Sequence, residues 1–214
     1  MNRTLRFKLT VAAFATACAI PVSFAQSAPT AAAAAPEAPS DGLTTQDRDV
    51  LAATEQLASE ATQMMEQWIT TQAVTEDRLF ARLYYPIPKT EPRKWTTHYD
   101  QLADRDLVGP EDKALGRSPL IQYAIVTDLN GYVPAHNSRF AQALTGNMSQ
   151  DYVNNRTKRI LGDIASFAAA RNEAHYLMQR TQMETGDVIY EISVPIKVRG
   201  KHWGCARVGY RRAE

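Results

Sequence analysis

Cysteine is nearly absent from this chain of 214 residues, which contains only Cys18 and Cys205. Two cysteines so far apart cannot form a Cys-x-x-Cys pair, or the Cys-x-x-Cys-His motif that attaches haem covalently. The sequence also has no Gly-x-Ser-x-Gly, no His-Glu-x-x-His and no phosphate-cradling glycine loop, and its 4 histidines are scattered. We therefore expect no enzymatic activity, no metal site and no cofactor, with non-covalent haem at His136 or Met64 as the alternative.

A surplus of charge of one sign is also missing. Lys and Arg number 24 against 23 Asp and Glu, which gives a net charge of +1, so nothing indicates binding to nucleic acid. Beyond the first 25 residues, no apolar run approaches the about 18 residues needed to cross a bilayer. We therefore expect no second membrane span and a soluble mature chain.

The first 25 residues have the pattern of a cleaved signal peptide. Three basic residues come first: Arg3, Arg6 and Lys8. An apolar stretch over residues 9–20 follows, and residues 23–25 offer a Ser-Phe-Ala cleavage site before Gln26. The predicted location is the periplasm. A lipoprotein modified at Cys18 and an uncleaved membrane anchor are the alternatives.

Cleavage would change the composition of the chain. It removes three basic and no acidic residues, so Lys and Arg fall from 24 to 21 and the net charge moves from +1 to −2. It also removes Cys18, which leaves Cys205 as the only thiol and no possibility of an intrachain disulfide.

Residues 26–43 are mostly Ala, Pro and Ser, with an unbroken alanine run over 31–35. Such a segment buries too little apolar surface to offset the entropy of ordering, so it is predicted to be a flexible tether. Residues 44–214 then form one domain of ordinary size.

The domain is predicted to begin with a long helix over residues 45–71. Thr44 and Asp47 have the spacing of a capping box, and apolar residues recur at near-heptad spacing. These are Val50, Leu57, Ala61, Met64 and Trp68. The stripe either packs on the sheet of its own domain or pairs with a second subunit as a homodimeric coiled coil, which Thr54 at a core position disfavours.

The middle of the domain is predicted to be irregular. A short helical patch around Leu79 and Phe80 ends before Pro86, and five prolines interrupt residues 86–119. The aromatic residues of this loop are Trp95, His98 and Tyr99. They either hold the loop against the core or form one wall of a ligand pocket.

Strand patterns begin at residue 120. Residues 120–127 and 132–133 are predicted to form a hairpin around the turn 128–131, and residues 151–171 a helix. Residues 177–183 and 188–198 follow as strands around a turn at 184–187.

The two-residue loop Arg199-Gly200 predicts a closing hairpin between residues 188–198 and 201–210. Counting from that loop pairs Ile196 with Trp203, Val194 with Cys205 and Ile192 with Arg207. Cys205 is therefore expected to be buried and unreactive. Arg207 would be a charge on an apolar face, where it either snorkels to the rim or binds an anion in a cavity.

Three motifs together resemble one protein family. They are Gly-Tyr-Val-Pro-Ala-His-Asn at 131–137, Asn-Arg-Thr-Lys-Arg at 155–159 and Gly-Lys-His-Trp-Gly at 200–204. In this order they are similar to the extracytoplasmic PAS-like (Cache-type) sensor domain of methyl-accepting chemotaxis proteins. The resemblance covers about residues 45–210. It implies an α+β fold, with an antiparallel sheet, a long N-terminal helix packed on one side and a small ligand held on one face of the sheet.

The chain departs from this family in two places. Arg199-Gly200 stands where Asn-Gly is expected, and the sequence ends at residue 214, where a chemoreceptor would enter its second membrane span. We therefore expect a domain without the signalling region, which would act through a membrane receptor or another signalling protein.

The candidate ligand-binding residues are Tyr132, His136, Asn137, Arg156, Arg159 and Arg207. Arg156 and Arg159, three positions apart, would share one helical face and suit a carboxylate or phosphate. The candidates also have structural interpretations: Asn137 as a turn cap, and Arg156 and Arg159 as a solvated basic face or as partners of Asp151 and Asp163. His202, Trp203 and Gly204 are expected to lock the last hairpin.

Two functions follow from these patterns. The first is an exported sensor module that binds a small anionic or polar ligand. The second is a structural or interaction domain that docks through its N-terminal helix. If Arg156, Arg159 and Arg207 converge on one cavity, the first function is favoured; if they point into solvent, the second is.

Overall fold

The computed structural model describes residues 42–182 and 186–212. The predicted signal peptide, the tether up to residue 41 and part of the predicted turn at 184–187 lie outside the described residues.

The fold is α+β, as predicted. The helices are α1 (Thr45–Thr70), α2 (Glu76–Phe80), α3 (Asp100–Asp106), α4 (Val108–Leu115), α5 (Met148–Asn154) and α6 (Ile164–Arg171), with a 3-10 turn at Ser138–Phe140. The strands are β1 (Tyr85–Ile87), β2 (Lys94–Thr96), β3 (Ile121–Asp128), β4 (Leu177–Gln182), β5 (Val188–Val198) and β6 (Lys201–Tyr210). Strands β1 and β2 form a small ribbon, and the main sheet is antiparallel in the order β3-β6-β5-β4.

Helix α1 begins where the sequence predicts, because Thr44 and Asp47 form the expected capping box. It packs on β5 and β6. Val50, Leu57 and Trp68 are buried against the sheet. Among the described residues, no exposed large hydrophobic side chain lies on α1. The apolar stripe therefore serves the domain's own core, and dimerisation through this helix stays a prediction without an apolar seam to carry it.

The region predicted to be irregular over residues 86–119 contains two helices, so that prediction was wrong. Pro110 disrupts the sequence pattern, but it lies in the first turn of α4, where its missing N–H is not needed. Tyr99 is buried in the core and stacks edge-on against Trp203. The segment thus closes one side of the core.

The predicted hairpin over residues 120–133 is also wrong. β3 pairs with β6, and Tyr132 forms its bridge with Ile160 instead. Gly131 has a φ of +75°, and a Cβ there would lie 2.3 Å from the carbonyl oxygen of Leu161. The chain after the turn therefore leaves β3 and runs beside residues 158–161.

The single helix predicted over residues 151–171 is two helices. α5 ends at Asn154, and α6 begins at Ile164 with Asp163 as its cap. Between them, Lys158 adopts a left-handed φ of 64°. The backbone of this stretch bonds to residues 131 and 133, and this tertiary pairing replaces the helical hydrogen bonds.

The closing hairpin has the predicted loop but a shifted register. Val198 pairs with Lys201 and Lys197 with His202, but Ile196 then pairs with Gly204, so Trp203 is the extra residue of a β-bulge. Beyond it, Arg207 lies opposite Ser193 and not opposite Ile192 as predicted.

The bulge decides which face of the sheet each side chain occupies. A shift of one residue moves a side chain to the opposite face. Ala206, Val208 and Tyr210 join the core under α1, whereas Cys205 and Arg207 face the other side. Cys205 is buried as predicted, and burial raises the pKa of its thiol to about 12.

Side chains seal the outer edge of β3. The backbone N–H of Ala124 donates to Asn137 Oδ1 at 3.3 Å, and that of Val126 donates to Glu111 Oε1 at 3.0 Å. Glu111 is fully buried. Burial raises the pKa of its carboxyl well above the usual range, against the opposing effect of the Val126 hydrogen bond.

Replacing Glu111 with glutamine is expected to flatten the acid side of the stability curve. Because folding raises the pKa of Glu111, the folded state holds a proton that the unfolded state releases, so the contribution of Glu111 to the free energy of unfolding is largest below pH ~4 and falls as the pH rises. This contribution to the free energy of unfolding falls by up to ~1.4 kcal/mol per pH unit. E111Q keeps the acceptor for Val126 but cannot ionise. Urea unfolding at pH 4.5 and 7 measures this; an unchanged slope in E111Q would contradict it.

Candidate functional site

A cavity of ≈160 Å³ lies on the face of the sheet opposite α1. Its lining residues come from β3 and the chain after it, the segment before α6, the start of α6, the end of β4, β5 and β6. They are Tyr123, Ile125, Val133, His136, Arg156, Arg159, Leu161, Asp163, Ser166, Gln182, Ile189 and Arg207. Four of the six predicted ligand-binding residues are among them, and they come from three separate parts of the sequence.

Arg207 forms part of the floor of this cavity. It is only 3% exposed, and its Nε and Nη2 donate to Glu191 Oε2 at 3.0 and 2.8 Å. The Tyr123 hydroxyl donates to the same carboxylate oxygen. Within the described residues, Arg207 Nη1 is buried without a hydrogen-bond partner. Arg207 therefore does not extend to the rim of the cavity, and Glu191 accepts hydrogen bonds from only two of its three nitrogens.

Residues 155–161 form one wall, and we call them the arginine segment. Arg159 Nη2 donates to the backbone oxygens of Tyr152 at 2.6 Å and Asn155 at 2.9 Å, and its guanidinium lies over the Tyr152 ring. Arg156 Nε donates to Val153 O at 3.0 Å, and its guanidinium lies over the Phe140 ring. The two side chains share the cavity, although they do not share a helix.

His136 completes the polar wall. It is 4% exposed and packs edge-on against Phe140. Burial, and then the nearby charge of Arg156, lowers its pKa to about 3, so the imidazole is neutral at physiological pH. Its Nδ1 is buried without a hydrogen-bond partner among the described residues.

Two predicted site residues do not line the cavity. Asn137 accepts a hydrogen bond from the backbone of Ala124 at the edge of β3, so its side chain covers that edge and does not cap a turn. The Tyr132 hydroxyl donates to Asp100 Oδ1 at 2.8 Å in the core beneath α3. The three loop aromatics Trp95, His98 and Tyr99 lie outside the lining as well.

Sequence reasoning considered Asp163 only as a pairing partner of the arginines and did not place it in a cavity. Asp163 caps α6, accepting bonds from the backbone and hydroxyl of Ser166 at 2.9 and 2.6 Å. Burial opposes ionisation of Asp163, but these bonds lower its pKa overall. The spacing Asp163-x-x-Ser166 after Gly162 is a helix-start signal that could have placed both residues.

The charges around the cavity nearly cancel. Arg156, Arg159 and Arg207 contribute three positive charges; Asp163 and Glu191, behind Arg207, contribute two negative ones. With His136 neutral, one positive charge is left over. The apolar part of the lining comes from Ile125, Val133, Leu161 and Ile189. An anion of unit charge with an apolar portion matches this arrangement.

No cluster of three or more His, Cys, Asp or Glu side chains is arranged to hold a metal ion within residues 42–182 and 186–212. In the same part of the chain, no helix combines the length and apolar character of a membrane span.

No protein-family model matches the sequence, and no curated protein matches it. Among solved structures, the chain is similar to an extracellular ligand binding receptor from Desulfohalobium retbaense DSM5692, with 11% sequence identity and a TM-score of 0.33. The match covers 79% of this chain and 26% of the receptor chain. This chain therefore spans about a quarter of that protein's length.

Proposed function

We propose that this chain is a periplasmic sensor module that binds a small monocarboxylate between the outer face of its sheet and the arginine segment. One observation carries the proposal: Arg156, Arg159, Arg207 and His136, from separate parts of the sequence, converge on one cavity. Buried polar groups are normally paired, so the buried, unpartnered Nη1 of Arg207 and Nδ1 of His136 favour a bound ligand.

The cavity limits the size and polarity of that ligand. Its ≈160 Å³ is close to the ~150 Å³ of a cavity that holds benzene, so a ligand has about four to seven heavy atoms. The carboxylate lies at the arginines, where charge-assisted hydrogen bonds are strong. His136 contacts a hydroxyl or keto oxygen of the ligand, and Ile125 and Ile189 contact its carbon atoms.

The resemblance to PAS-like (Cache-type) domains of chemotaxis proteins supports the role of a sensor that passes ligand state to a membrane receptor. The alternative, docking through α1 without a ligand, has less support. The apolar side of α1 is buried against the sheet, and the arginines do not point into solvent.

A thermal-shift screen of the purified domain tests the proposal. The panel contains acetate, propionate, lactate, succinate and inorganic phosphate. We expect stabilisation by propionate or lactate, about 2.7 kcal/mol at a hundred times the dissociation constant, and less by the doubly charged anions.

Replacing Arg156 with glutamine is expected to weaken binding about 10- to 100-fold, because one charge-assisted donor is lost. Arg105→Gln is the matched control, since Arg105 is exposed and pairs with Asp106. The absence of a shift with every anion of the panel would overturn the proposed function, as would equal weakening in the two variants.

A further inference from the structure

Lys94 lies outside the cavity lining but contacts the segment that carries two of its arginines. It belongs to β2 and is 4% exposed. Its ammonium group donates to Asn155 Oδ1 at 2.5 Å, Thr157 O at 2.6 Å and Asn155 O at 3.2 Å. These three acceptors lie immediately before and after Arg156.

The opposite side of the arginine segment is held by backbone hydrogen bonds. Val133 N donates to Arg159 O at 2.8 Å, and Lys158 N donates to Val133 O at 2.7 Å. On the Lys94 side, β2 itself adds one bond, from Trp95 N to Lys158 O at 2.8 Å. The segment is therefore held between residues 131–133 and β2.

The shape of the segment is unfavourable by itself. Lys158 has a left-handed φ of 64°, a conformation that L side chains rarely adopt. Such a conformation persists when surrounding contacts determine it. Lys94 supplies contacts on both sides of Arg156, and it shares the Asn155 carbonyl with Arg159 Nη2.

We propose that Lys94 is a positioning residue for the anion site: its ammonium group fixes the arginine segment so that Arg156 and Arg159 enter the cavity, and anion affinity depends on its protonation. This inference rests on the proposed function. It adds a residue and a pH dependence that the cavity lining does not reveal.

The number of hydrogens on the amine explains the dependence. An ammonium group has three N–H donors, one for each of the three acceptors that Lys94 contacts. A neutral amine has only two N–H donors. Burial, followed by the charges of Arg159 and Lys158, lowers the pKa of Lys94 to about 8, with Asp151 acting in the opposite direction. Above that pH one hydrogen bond and one positive charge beside Arg159 are lost.

Several other charged or titratable groups lie near Lys94. Hydrogen bonds from Thr145 lower the pKa of Asp151 despite burial. Lys158 is paired with Asp104 at 2.8 Å and lies 3.6 Å from Asp100. His136 is neutral, with a pKa of about 3. A bound anion stabilises the protonated amine, so affinity falls as the pH rises through about 8.

Isothermal titration calorimetry with lactate, from pH 6.5 to 9.5, tests the inference on the full domain. The wild type is expected to lose about three- to tenfold in affinity across pH 8. Lys94→Met is expected to bind weakly already at pH 6.5, with a flat pH profile. Lys201→Met, at an exposed lysine paired with Glu76, is the control and follows the wild-type curve. A flat wild-type profile, or a K94M profile that still falls across pH 8, would overturn the inference.

Limited digestion with trypsin at pH 7.5 separates this inference from the proposed function. We expect K94M to be cleaved after Arg156 and Arg159, with the sites identified by mass spectrometry, while the wild type and K201M resist. If the wild type takes up no lactate at any pH, the proposed function fails for this ligand, and digestion alone decides the positioning role. Equal resistance of a folded K94M variant would refute it.

Discussion

Replacing Gly204 with alanine is expected to destabilise the domain by about 3 kcal/mol or more. If β3 and β6 cannot move apart at this point, the variant is expected not to fold. A Cβ at this position would lie 2.0 Å from Thr127 O and 2.6 Å from Asp128 Cα. Both atoms belong to β3, which is paired to β6 at this point. Neither can move away as the end of a flexible side chain would.

Gly109→Ala is the matched control for this substitution. Gly109 lies in α4, and no atom lies within 4 Å of a Cβ built there. Alanine is preferred to glycine inside a helix by about 0.5–1 kcal/mol, but Gly109 immediately precedes Pro110, where a Cβ is disfavoured, so this variant is expected to keep a stability close to that of the wild type. Urea unfolding of both variants measures the difference. A loss below 1 kcal/mol for G204A would contradict the close approach of β3 and β6.

Replacing Arg207 with methionine is expected to have the second large effect, a loss of about 3–5 kcal/mol in the free energy of unfolding. The substitution leaves the fully buried carboxylate of Glu191 with the Tyr123 hydroxyl and the Gln179 amide as donors, but without the charge of Arg207. Removing one partner of a buried pair is costly because the other charge stays uncompensated.

The double variant Arg207→Met with Glu191→Met is expected to recover most of that stability, since neither charge is then buried. It is not expected to recover anion binding, because the Nη1 donor is gone. Unfolding in urea and calorimetry with lactate measure the two properties separately. If the double variant is no more stable than R207M, the ion pair does not explain the loss; if it binds lactate normally, Arg207 is not a ligand-binding residue.

Local patterns predicted the elements whose signals are local. The capping box at Thr44 and Asp47 located the start of α1, and Arg199-Gly200 located the turn between β5 and β6. Where tertiary contacts overrode the pattern, prediction failed. Asn155 to Leu161 have a helical pattern in the sequence, but their backbone bonds to the chain around Val133.

In the candidate site, too, the sequence indicated several of the residues but not the tertiary contacts that bring them together. Arg156 and Arg159 do line the same cavity, but the reason given for pairing them, a shared helical face, was wrong. Arg207 was placed on the core face because nothing in the sequence marks Trp203 as a bulge. The error mattered physically, since that single extra residue turns the guanidinium from the α1 side of the sheet to the cavity side.

The sealed edge of β3 also has a consequence for how the sheet can grow. A partner that binds by adding a strand needs free backbone donors along an edge. On β3 those of Ala124 and Val126 are occupied by Asn137 and Glu111, and that of Asp128 donates to Tyr132 O. The opposite edge is β4, which pairs with β5 alone among the described strands. Strand addition, whether by a peptide or by an aggregating copy, is therefore directed to one end of the sheet, beside Gln182 and the cavity.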